Sequence, residues 1–192
     1  MPNWCFTSYV IVGDQKEITS LYGKMKRLQK MEWPLLPNGF GSNWLGCLVK
    51  RLGGNPNSVY CRGSFGVPRL RWRGEMLTFN TETAWARMDE VENLIRSVYP
   101  SLSVYFIEEE LGNGIFETND EFGVYFPENV IIGFNNSGMD YYTEENALKK
   151  LSELKGGPVN TWKEAEDFVT WRNEHLECED DEIWLHKAEI VS

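Results

Sequence analysis

Cysteine is scarce and unpatterned in this chain. The four residues, Cys5, Cys47, Cys61 and Cys178, form no CxxC pair and follow no regular spacing. That excludes the clustered ligands of an iron–sulfur centre and leaves free thiols in a reducing compartment as the simple reading. No apolar run approaches the length of a membrane helix, and no basic segment precedes an apolar one at the start. The sequence therefore reads as a soluble cytoplasmic protein with no membrane contact. Histidine is rarer still, with only His175 and His186. His175, Cys178 and His186 resemble the beginning of a zinc site, but a fourth ligand is not evident, so no metal is expected. No Ser/His/Asp arrangement, phosphate-cradling glycine loop, EF-hand pattern or pair of catalytic acids stands out. No catalytic residue and no cofactor is expected. Internal repeats and low-complexity segments are also lacking.

What is present points to a folded chain. Of 192 residues, 42% are hydrophobic and 14% aromatic, with eight Trp. A disordered chain lacks that apolar content, and the length suffices for a sizeable core. The net charge is −10, unevenly spread. Residues 1–100 carry 13 Lys and Arg against 8 Asp and Glu, and residues 101–192 carry 6 against 21, so the halves differ by +5 to −15. Either the halves neutralise one another or each presents a charged face to a partner.

Met1–Asp14 reads as the first and central strand of a sheet. Cys5, Thr7, Tyr9 and Ile11 point one way, Phe6, Ser8, Val10 and Val12 the other, and neither set is strongly polar. Asp14 with Glu17 marks a helix start, and Ile18, Leu21, Tyr22, Met25 and Leu28 follow at helical spacing. A short helix over Leu45–Leu52 ends at Gly53-Gly54. Strands are expected at Val59–Phe65, Met76–Asn80 and Leu102–Glu108, with a loop at Gly66–Gly74. Thr83 is expected to cap a second long helix running to Tyr99. The order β-α-(short α)-β-β-α-β is the split βαβ, ferredoxin-like arrangement: an antiparallel sheet with both long helices on one face. A β-meander should follow, with a hairpin at Asn113-Gly114 and strands at Phe122–Phe126 and Val130–Phe134. Helices capped by Thr143 and Thr161 and a final strand at Ile183–Ile190 complete an α+β fold. The expected division is a core over 1–109 and an acidic α+β extension over 110–192, packed as one unit.

The segments MPNWC, WLGCLVKRLGG (Trp44–Gly54), YCRG (Tyr60–Gly63), TETAW (Thr81–Trp85), ETND (Glu117–Asp120) and YFPE (Tyr125–Glu128) resemble the YubB-like proteins. Those are small proteins of phages, plasmids and other mobile elements, described by a ferredoxin-like domain. The resemblance implies that fold and a phage-related or mobile-element setting. It brings no activity and no catalytic residues.

Three surfaces are candidates for function. In GVPRLRWRG, Arg69, Arg71 and Arg73 alternate with Leu and Trp. On extended backbone they would share one side about 7 Å apart, where they could pair with phosphates while Trp72 stacks on a base. Arg62, Lys50 and Arg51 could join them, giving single-stranded nucleic-acid binding as one reading. The acidic residues Glu108–Glu110, Glu117, Asp120, Glu121 and Glu177–Glu182 give another. Carboxylates spaced like phosphates could occupy a basic site on a protein partner. This non-catalytic, protein-binding role is the leading expectation from sequence, with nucleic acid as the alternative. Finally, Asn3, Trp4, Thr81, Glu82 and Trp85 could meet at one end of the sheet and line a pocket for a small ligand.

Overall fold

A computed structural model of the chain describes residues 3–135, 138–176 and 182–191. It is a mixed α+β structure that divides into two compact units, Met1–Asn119 with Val191–Ser192, and Asp120–Ile190. The division falls after Asn119, against an expected division after residue 109. Ile115–Thr118 belongs to the first unit because it extends that unit's sheet.

In the first unit, β1 (Trp4–Val12) lies between β4 (Met76–Ala84) and β5 (Ser103–Glu110), antiparallel to both. The strand is internal, as its alternation predicts. β2 (Gly63–Phe65) and β3 (Arg69–Arg71) both pair with the other side of β4, and β6 (Ile115–Thr118) pairs with β5. The strand order is thus β6-β5-β1-β4-β2, with β3 also on β4.

Register assigns the two faces, since directly opposed residues project to the same side. Tyr9 opposes both Phe79 and Phe106, and Ile11 opposes Leu77 and Val104. This face is covered by α1 (Gln15–Gln29), α2 (Leu45–Arg51) and α3 (Asp89–Val98), whose Ile18, Leu21, Leu48, Val91 and Ile95 share its core. Each such buried aliphatic side chain contributes about 1.5–3 kcal/mol. The opposite face carries Phe6, 52% exposed, with Arg69 and Arg71 placed there by their pairing with Thr78 and Met76. The Asp14 carboxylate caps α1 by accepting the Lys16 and Glu17 amides.

Three expectations in this unit are corrected. Thr83 does not cap a helix. It lies in β4, which runs four residues past Asn80, and its hydroxyl donates to the Ala86 carbonyl at 2.8 Å. α3 starts only at Asp89 and has no side-chain cap. The strand expected over Val59–Phe65 is reduced to Gly63–Phe65, and the expected loop after it contains β3.

The second unit is built on a three-stranded antiparallel sheet in the order β8 (Gly138–Tyr142), β7 (Val130–Phe134), β9 (Ile183–Lys187). α4 (Glu144–Lys155) and α5 (Trp162–Glu174) pack on it, with Val130, Ile132, Leu151, Ala165 and Ile183 in the core. A two-residue strand, β10 (Glu189–Ile190), follows. Thr143 and Thr161 cap the helices as expected, accepting the Asn146 and Glu164 amides. The strand expected at Phe122–Phe126 does not form. The Asp120 carboxylate there collects the amides of Val124, Tyr125 and Phe126, which diverts them from any ladder and leaves Phe122 84% exposed. Among the described residues, no helix is long and apolar enough to cross a membrane.

Candidate binding surface

The basic-aromatic segment is set by an unusual turn. β3 has Leu70 half-buried and Arg69 and Arg71 exposed, the alternation a strand at the side of a sheet requires. The next two residues then enter the left-handed region, Trp72 at φ 47° and Arg73 at φ 58°. Neither residue favours that region, and each such placement costs on the order of 1–3 kcal/mol. The turn is held from outside: Gln15 Nε2 of α1 donates to the Arg73 carbonyl at 2.7 Å. Its result is that Trp72 stands 71% exposed between Arg71 and Arg73. No ion pair among the described residues holds Arg62, Arg69, Arg71 or Arg73. Lys50 and Arg51 are exposed at the C-terminal end of α2.

An open groove of about 460 Å3 lies in the same unit, with Phe40, Trp44, Tyr60 and Arg62 in its wall. Trp44 is fixed by its Nε1 donating to the Cys61 carbonyl at 3.0 Å. Glu90 also borders the groove, and its Oε2 accepts the Tyr60 amide at 2.6 Å. Tyr60 itself is 52% exposed.

The acidic candidates separate into two groups. Glu108, Glu110 and Asp120 are buried, while Glu109 and Glu117 are half-buried and Glu121 is exposed. Glu182 accepts from Asn135 Nδ2 at 3.2 Å, and residues 177–181 fall outside the described residues. In the second unit a groove of about 320 Å3 is lined by Lys155, Glu164, Asp167, Phe168 and Trp171.

The five residues proposed for a small-ligand pocket do not converge. Thr81 is 5% exposed on the helix-covered face, whereas Glu82 next to it is exposed on the other. Trp4 sets the edge of its ring against Phe40, centroids 6.4 Å apart. The Asn3 carbonyl accepts the Trp85 amide at 2.9 Å, so those two meet through backbone, with Trp85 47% exposed at φ 77°.

A buried charge cluster under the helices is absent from the sequence reading. Arg87 Nε lies 3.2 Å from a Glu108 oxygen and 3.7 Å from Glu92, and Arg87 Nη1 lies 3.0 Å from Asp89. The Nε contacts are ion pairs without aligned hydrogen bonds. Its guanidinium also stacks 3.8 Å over the Phe106 ring. Glu108 further accepts the Arg87 amide at 3.1 Å and the Cys5 thiol at 3.3 Å, and Glu92 accepts the Tyr9 hydroxyl at 2.8 Å. Burial raises both carboxyls above their ordinary value, offset in part by these donors and by Arg87. Burial and then the Glu108 charge push the Cys5 thiol up to about 12, so it stays protonated and is a poor nucleophile at neutral pH. Tyr9 and Glu92 also line a small cavity of about 10 Å3 beneath the helices. The chemistry of the cluster is that of paired charge inside a core.

His175 is turned back on its own helix, Nδ1 against the Trp171 carbonyl at 2.7 Å, and its ring stacks on Trp171. His186 is exposed on β9, and Cys178 lies outside the described residues. Among the described residues no group of three His, Cys, Asp or Glu is placed to hold a metal ion. Comparison with protein-family models, with curated proteins and with solved structures found no match for this chain.

Proposed function

We propose that this chain is a non-catalytic binding protein of mobile-element type whose first unit takes single-stranded nucleic acid through Arg69, Arg71, Trp72 and Arg73. The observation that carries the reading is Trp72, held 71% exposed in a left-handed turn between arginines that no ion pair holds among the described residues. Strain kept in a surface turn needs a reason, and an exposed tryptophan flanked by exposed guanidinium groups suits a base stacked between phosphate contacts. The strand order β5-β1-β4-β2, all antiparallel, supports a ferredoxin-like arrangement for this unit, and membership of the YubB-like family and a cytoplasmic setting are part of the same proposal. The leading sequence expectation, an acidic surface meeting a protein partner, loses Glu108, Glu110 and Asp120 to the interior.

The test is fluorescence anisotropy of a labelled single-stranded oligonucleotide at low ionic strength. Binding should weaken steeply with salt, and the triple replacement Arg69→Ala, Arg71→Ala, Arg73→Ala should abolish it. Absence of binding at low salt, or binding indifferent to the triple variant, contradicts the proposal.

A second reading rests on one observation. The second unit carries 17 Asp and Glu against 6 Lys and Arg, and its groove sets exposed Trp171 beside Glu164 and Asp167. That combination suits a basic protein segment. Capture of a basic partner, weakened by salt and by Asp167→Asn with Trp171→Ala, would support it.

A further inference from the structure

β2 and β3 pair with the same side of β4 one after the other, so together they form a single composite strand along that side of the sheet. The pairing starts one residue before β2, where the Arg62 carbonyl accepts the Ala84 amide at 3.1 Å. It ends where Arg71 opposes Met76. Between Ala84 and Met76, β4 advances about 27 Å at the usual rise of a strand. Arg62, Arg69 and Arg71 are therefore strung along one line, all exposed, with Val67, 57% exposed, between them. The line has an aromatic at each end: Trp72 past Arg71, and Tyr60 ahead of Arg62 in the groove that Phe40 and Trp44 help to line. Glu90 at that groove makes it poor for a phosphate, and its carboxylate is already engaged by the Tyr60 amide. The groove suits an uncharged base.

From this placement we infer that the nucleic-acid site is one continuous track along the composite β2–β3 strand, from the Tyr60 groove to Trp72, and that its ligand is a single strand long enough to reach both ends. This rests on the reading given under Proposed function and adds the extent of the site. At the stacked rise of about 3.4 Å per nucleotide, spanning 27 Å takes about eight nucleotides, and fewer if the strand is extended. Site sizes of about 4–16 nucleotides are usual for aromatic-and-basic grooves of this kind. Duplex is a poor ligand, because its bases are not free to enter the groove or to stack on Trp72.

The experiment measures anisotropy with oligothymidylates of about three, six and ten nucleotides on the full chain and on variants at each end of the track. Affinity of the unchanged protein should climb across the series and level off once the strand spans the track. Tyr60→Ala should weaken the longest ligand roughly tenfold and leave the shortest almost unchanged, while Tyr60→Phe, which keeps the ring, should bind as the original does. Trp72→Ala should weaken every length by a similar factor. Tyr60 and Trp72 are both exposed, so folding should survive, and circular dichroism checks that it does. If Trp72→Ala weakens binding but Tyr60→Ala and Arg62→Ala do not affect even the longest strand, the track is wrong and the local site at β3 stands. If neither end matters, or if polyglutamate competes as well as the oligonucleotide, the nucleic-acid reading itself falls.

Discussion

Two sets of arginines in the first unit show opposite solutions to the same problem. Arg87 is packed beneath the helices, its side chain 15% exposed, with Glu108, Glu92 and Asp89 around it and the Phe106 ring against it. Arg69, Arg71 and Arg73 stand in solvent, and among the described residues no ion pair holds them. A buried guanidinium must be paired, because desolvating a lone charge costs several kcal/mol. An exposed one need not be, so its retention beside a strained Trp72 is a matter of what it meets rather than of what it holds together. The difference separates arginine used for folding from arginine available to a ligand.

The comparison breaks most visibly in stability. Arg87→Met should lower unfolding free energy by about 3–5 kcal/mol, because Glu108 and Glu92 lose their counter-charge inside the core. The Arg69, Arg71 and Arg73 replacements should each stay within about 0.5 kcal/mol of the original in urea titration. Equal losses at both sets would erase the distinction. Tyr9→Phe removes the hydroxyl that donates to Glu92 at 2.8 Å, and should cost about 1–3 kcal/mol by the same measurement. Trp72→Gly should act in the opposite direction. It relieves the left-handed placement and should leave stability unchanged or raised by up to about 1 kcal/mol, while nucleic-acid binding falls. A clear loss of stability would show that Trp72 holds the turn, not that the turn presents Trp72.

The buried cluster also sets a pH dependence. Glu92 and Glu108 are raised above the ordinary carboxyl value of 4.5, mainly by burial. Each therefore binds its proton more tightly in the folded chain than in the unfolded one. Their contribution to stability is fully present below the unfolded value and is lost as pH rises through the higher folded values. Urea midpoints compared on the two sides of that interval should show this loss, and Glu92→Gln should flatten it. A profile that Glu92→Gln leaves unaltered would remove this carboxyl from the account.

Much of the sheet was legible because its strands alternate. Tyr9 and Ile11 against Val10 and Val12 mark an internal strand, and Asn113-Gly114 marks the β5–β6 hairpin, which turns through Gly114 at φ 73°. Where alternation fails, so does the reading. β8 is exposed along nearly its whole length and gives no pattern, and β3 has only Leu70 to turn inward. Thr83 looked like a cap because threonine before a helical pattern usually is one. In the structure it opposes Cys5 in the ladder and is fully buried. The arginine row could be read from its spacing in GVPRLRWRG, but the left-handed turn could not, since neither Trp nor Arg signals it. The run Glu108–Glu110 looked like surface charge. Alternation instead turns Glu108 inward to Arg87, a residue 21 positions away that no local pattern connects to it. Long-range charge pairing of this kind leaves no trace in spacing.

The central claim is that the exposed arginines meet phosphates. The direct measurement is the salt dependence of binding to a ten-nucleotide single strand, compared between the unchanged chain and Arg71→Ala. With three to four phosphates neutralised, log K should fall against log salt with a slope of about −2 to −3, and Arg71→Ala should reduce that slope by about 0.7. A flat salt profile, or a slope that Arg71→Ala does not change, would contradict it.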